Sequence, residues 1–192
     1  ESSSNKRASM YEKQAKASPR DSNAPKLWYK AAADYLQSGE IKGAIRAYKK
    51  IDNEYAKSVV HEESLFELGR LLKSIYKLRE ASTSFVRFYR LYPASKNAET
   101  AIKQACYLSI SSHAESAVDH CFEYFSRTGV RSLSTIERLL EILSYSGNIQ
   151  AAYDLIRRVY DGRSSISAAR KLKANCLVYE AMGHRRVGDV EK

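Results

Sequence analysis

The sequence predicts an all-α solenoid of antiparallel helix pairs, and three observations carry that expectation. Alanine, leucine, lysine, arginine and glutamate dominate, all helix-favouring, while only 3 prolines and 8 glycines interrupt 192 residues. Apolar residues recur at helical spacing in one segment after another. A small residue also returns at near-constant intervals: Ala44, Ala81, Ala117, Ala152 and Gly188 lie 37, 36, 35 and 36 residues apart. A period of this size marks a stacked array of identical supersecondary units. The small residue falls where paired helices cross closest, and a larger side chain there forces them apart.

The elements follow in order. Residues 1–24 are polar at the start and broken by Ser18, Pro19 and Pro25 at the end. They read as a tether holding at most one short helix between Ala8 and Ala17, and deletion of residues 1–18 is expected to leave folding unchanged. From residue 25 to 192 helices follow one another. Leu27 to Gly39 forms a first helix ending at a glycine, and Glu40 to Tyr55 a second, with Ile41, Ala44, Ile45, Tyr48 and Ile51 on one face. The pair recurs with Leu65, Leu68, Gly69 and Leu72, then Ala81, Phe85 and Phe88. A third copy carries Ala101, Ala105 and Leu108, then Ala117, Cys121 and Tyr124. A fourth carries Ile136, Leu139, Leu140, Leu143 and Gly147, then Ala152, Ile156 and Val159. A fifth begins at Leu172, Cys176, Tyr179 and Gly183 and is cut short at Lys192. The repeats therefore span about 25–58, 62–95, 98–131, 133–166 and 169–192.

This pattern resembles the tetratricopeptide repeat. Trp28, Ala32, Tyr35, Gly39, Ala44 and Tyr48 fall where that family places its Trp, Gly, Tyr, Gly, Ala and Phe/Tyr, while Ala56 replaces the usual Pro. Leu65, Leu68, Gly69, Leu72, Ala81, Phe85 and Pro93 repeat the register. The resemblance implies a right-handed superhelix with a concave groove. The endings Glu54-Tyr-Ala-Lys-Ser58 and Leu91-Tyr-Pro-Ala-Ser95 are similar to those of bacterial envelope repeat proteins. These are the lipoprotein subunit of the outer-membrane β-barrel assembly machine (the BamD family) and the Tol–Pal coordinator proteins. That likeness implies a periplasmic location, with membrane contact only through a lipid anchor preceding Glu1. The alternative is an intracellular adaptor, or a recruiting domain cut from a larger protein.

The chain is not expected to be an enzyme, and no cofactor or metal is expected. Neither a phosphate-binding glycine loop, nor HExxH, nor CxxC occurs. Asp119, His120 and Cys121 are consecutive, and on a helix such residues diverge by about 100°. His120 and Asp119 then read as exposed and Cys121 as core. Cys106, Cys121 and Cys176, an odd number with apolar neighbours, read as buried reduced thiols. The net charge of +10 is spread along the chain among 22 acids, without a basic arm. Nucleic acid is therefore not the expected partner, and a protein or peptide is.

In the repeat register, partner contacts fall on the first helix of each pair. The expected groove residues are Tyr29, Lys30, Phe66, Arg70, Lys73, Lys103 and Tyr145. Tyr29, Phe66 and Tyr145 are either groove anchors or contacts to the neighbouring repeat. The two-carboxylate clamp that holds chaperone C-termini is not matched: Lys30 and Glu67 stand at its Asn positions, and Glu99 and Lys103 at its third-repeat Lys and Arg.

Overall fold

The computed structural model describes residues 3–112, 114 and 116–128, and every regular element among them is a helix. In order these are α1 (Ser3–Ala17), α2 (Ala24–Gln37), α3 (Ile41–Glu54), α4 (His61–Ser74), α5 (Leu78–Leu91), α6 (Ala98–Ser111) and α7 (Ala117–Thr128). The fold is all-α, as the periodicity predicts. The fourth and fifth predicted repeats lie outside the described residues. The chain divides into two compact units, Glu1–Ser95 and Lys96–Lys192.

In the first unit each helix packs on the next, from α1 through α5. The period is visible in the helix bounds: α1, α3 and α5 end at Ala17, Glu54 and Leu91, one every 37 residues. Ala44 and Ala81, the small residues at the crossings, are completely buried. Gly43 is tighter still, since a Cβ there would lie 2.8 Å from the Tyr35 ring. Gly69 does the same against Phe85, at 3.0 Å. Around these crossings Trp28, Ile51, Leu65, Leu72, Phe85 and Phe88 fill the interior.

Turn chemistry stops each first helix. The Glu40 amide donates to the Tyr35 carbonyl (2.8 Å) and the Gly39 amide to Leu36 (3.1 Å), with Gly39 at φ +80°. This is the left-handed cap that satisfies the last free carbonyls, and glycine adopts it without steric cost. At the end of α4, Lys77 and Tyr76 repeat the pattern onto Leu72 and Lys73, both at 3.0 Å, but Tyr76 takes the left-handed position at φ 60°. The second helices end in loop tyrosines that reach back one repeat. The Tyr55 hydroxyl donates to the Pro19 carbonyl (2.9 Å), and Tyr92 hydrogen-bonds with His61.

The amino-terminal segment differs from the expected tether. α1 is a 15-residue helix packed on α2, with Ala8 and Ala15 fully buried and Glu12 nearly so. Its attachment is largely polar, which apolar periodicity cannot register. Arg7 makes two hydrogen bonds to Asp34 (2.9 and 2.8 Å), and Glu12 accepts from Tyr35 (2.6 Å) and Arg46 (2.8 Å). In the repeat register α1 takes the place of a second helix, and it packs against a face of α2.

In the second unit α6 packs on α7. Cys106 and Cys121 join the two helices in a disulfide, with their Cα atoms 4.5 Å apart. This corrects the expectation of reduced thiols at these two positions. Both sulfurs are buried, as expected, but they face each other across the helix crossing, a juxtaposition that sequence neighbours do not reveal. Cys176 lies outside the described residues.

Candidate functional site

The first helices of successive repeats, α2 and α4, are bridged where the Tyr29 hydroxyl hydrogen-bonds with Glu63. The Tyr29 ring meets Tyr48 edge-on at 6.0 Å. One repeat later, Phe66 packs against Phe85 at 5.6 Å and Phe88 at 5.1 Å. Both rings are half-buried, so they fill the seams between helices and still present part of their area outward. Burial, and then the Glu63 carboxylate, push the Tyr29 hydroxyl above its ordinary pKa. Burial with Glu67 and Glu63 nearby pushes Tyr48 up to about 12. Both phenols stay protonated, and Tyr29 can act as a donor to Glu63 or to an acceptor that replaces it.

The polar residues divide by direction. Lys30 sits with its ammonium 5.7 Å from the centre of the Tyr11 ring of α1. Asp34 and Gln37 of α2 also turn to α1, where they hold Arg7 and Ser4. Lys26 and Ala33 remain exposed on α2. On α4 Glu63 and Arg70 are exposed, Arg70 bonding to Glu67 at 2.9 Å, and Lys73 is exposed in the last turn. Ala33 and Arg70 occupy equivalent positions one period apart. The exposed residues of α2 and α4 are therefore mixed in charge, with the half-buried Tyr29 and Phe66 among them. The structure thus brings Tyr29, Lys30, Phe66, Arg70 and Lys73 into one unit. Lys103 is exposed on α6 of the other unit, and Tyr145 lies outside the described residues.

The Asp119–His120–Cys121 run offers no nucleophile, because the Cys121 sulfur is bonded to Cys106. Asp119 is exposed, but His120 is buried rather than exposed, a correction to the sequence expectation. No group of three or more metal-ligating side chains comes together among the described residues.

Two buried polar clusters escaped the sequence reading. Glu12 is one: burial opposes its charge, but hydrogen bonds from Arg46, Lys16 and Tyr35 prevail and lower its pKa to about 2. The other joins three helices. Asp52 of α3 meets His61 of α4 at 3.1 Å and Arg87 of α5, and His61 reaches Tyr92 through its other ring nitrogen. Burial works against the Asp52 charge, yet His61 and Arg87 hold its pKa below the ordinary value. Both clusters tie helices together rather than open to a ligand. A signal for the helix that carries the first was present in Ala8, which stands 36 residues before Ala44 and is fully buried.

Residues 21–159 match the family model of YfiO, an outer membrane lipoprotein family. The match covers most of the chain, so the chain belongs to this family, in agreement with its resemblance to BamD-type repeat lipoproteins. No curated protein matches it.

Proposed function

We propose that this member of the outer membrane lipoprotein family is a non-enzymatic scaffold of the bacterial envelope, holding a protein or peptide on the face shared by α2 and α4. The observation that carries the reading is the face itself. Two equivalent helices expose Lys26, Ala33, Glu63 and Arg70 around the half-buried rings of Tyr29 and Phe66. Rigid aromatic edges beside paired and unpaired charges are suited to a peptide that brings both apolar and polar side chains. The mixture of charges favours protein over nucleic acid, whose phosphates call for a continuous basic stripe.

A second observation supports the envelope over the cytoplasmic alternative. The Cys106–Cys121 disulfide belongs in an oxidising compartment such as the periplasm, since cytosolic thiols are kept reduced. Membership of an outer membrane lipoprotein family supports the same reading.

The test places a photo-crosslinking residue at Ala33 in cells of the native host, with Lys42 on α3 as the comparison position. Both side chains are exposed, so neither change disturbs the core. The expected result is a crosslinked envelope protein from position 33 and none from position 42. Crosslinks from 42 alone would move the binding face elsewhere.

A further inference from the structure

At one end of the first unit, the α1–α2 connection and the α3–α4 connection border a shallow, open cleft of about 610 Å³. It is separate from the open face of α2 and α4, sharing only Lys26 at its border. The cleft is rigidly built. Both connections use the same pair of turns: Asp21 to Ser18 and Ala24 to Asp21 in the first, Ser58 to Tyr55 and His61 to Ser58 in the second. The Tyr55 hydroxyl ties the two together through the Pro19 carbonyl at 2.9 Å.

Its charges are unbalanced. Arg20, Lys26 and Lys57 line the cleft, all exposed, and none makes an ion pair among the described residues. Elsewhere in the unit Arg7, Arg46, Lys49, Lys77 and Arg87 each hold a carboxylate. Asp21, the one acid in the lining, already accepts the Asn23 amide at 2.7 Å. The wall is otherwise apolar, with Pro19, Tyr55 and Val59, and Val59 is 82% exposed. Ser58 also lines it, and its enclosed hydroxyl has no hydrogen-bond partner.

We propose that this cleft is a second docking site, taking an extended acidic segment of a protein partner. Carboxylates of the segment reach Arg20, Lys26 and Lys57, and an apolar side chain between them rests against Pro19, Tyr55 and Val59. Three cations against one carboxylate leave the lining net positive, which favours a narrow chain of opposite sign. Arg20 and Lys57 stand on the two different connections with apolar residues between them, a spacing suited to an extended chain that carries both acidic and apolar side chains.

The probe is a fluorescein-labelled decapeptide alternating glutamate with phenylalanine and valine, titrated against the full chain by anisotropy at low salt. Saturable binding is expected, lost when glutamine replaces glutamate. It should weaken tenfold or more in Arg20→Glu with Lys57→Glu, and fall with added salt as exposed charges are screened. Lys42→Glu, the same kind of charge change on exposed α3 surface, should leave binding unaltered; near-identical melting of all variants establishes that they fold. The proposal is overturned if the peptide does not bind, or if Lys42→Glu weakens it as much as the cleft variants. It is equally overturned if phosphatidylglycerol vesicles retain the protein in a Lys57-dependent way while the peptide does not compete.

Discussion

Individual residues set how closely the helices approach. Gly43 lies where a single methyl group would press on the Tyr35 ring at 2.8 Å, and Tyr35 is itself held by Glu12. Gly43→Ala should therefore destabilise the first unit by about 1–3 kcal/mol despite alanine's better helix propensity, because the ring must move and surrender its bond. Thermal unfolding of the variant measures this, and an unchanged or raised midpoint contradicts it. Glu12 makes a second prediction. Its folded pKa, about 2, lies below the ordinary 4.5, so its contribution is complete above the ordinary value and is lost as pH falls toward 2. Trp28, the one tryptophan in the chain, is buried, and Lys16 of α1 lies over its ring at 5.9 Å. Acidification from pH 5 to 2 should shift its emission to the red as α1 loosens. Glu12→Gln should show a smaller shift across that window, starting from a looser helix, and the same acid response in both proteins would remove Glu12 from the account.

At the scale of elements, α1 completes the first unit. It offers α2 little apolar surface, chiefly Ala8 and Ala15, but reaches the buried Trp28 and Tyr35 through Lys16 and Glu12. Removal of residues 1–17 should lower the melting temperature by about 5 °C or more, since a few kcal/mol moves a chain of this size by that amount. It should also expose Trp28. A truncated chain that melts with the parent would restore the tether reading. The helix pairs were legible in the sequence because Ala44, Ala81 and Gly69 repeat with the apolar stripes around them. α1 was not, for two physical reasons. Its small residue, Ala8, 36 residues before Ala44, stands beside the charged Arg7, which sends its guanidinium to Asp34. The centre of its buried stripe is Glu12, a charge that only the opposing Arg46 and Tyr35 make tolerable. The disulfide was hidden for a different reason: a buried cysteine looks the same in sequence whether or not another faces it across a helix crossing.

For the whole molecule, the repeat pattern specifies fold class and family, and the candidate face is only partly legible in it. Register alone put Tyr29 and Phe66 on the first helices of their pairs, since each first helix repeats every 37 residues, beginning at Ala24, His61 and Ala98. It could not show that Lys30 turns toward Tyr11 or that Phe66 is clasped by Phe85 and Phe88, because those contacts depend on neighbouring elements. Truncating the rings would therefore damage packing and binding together. Exposed positions test the binding face more cleanly. The decisive measurement is a calorimetric titration of the envelope protein crosslinked through Ala33 against the parent chain and against Ala33→Arg with Arg70→Glu. The account predicts affinity reduced by about thirtyfold or more, the cost of losing one strong contact, with melting within a degree or two of the parent. Equal affinity in the two proteins would contradict it.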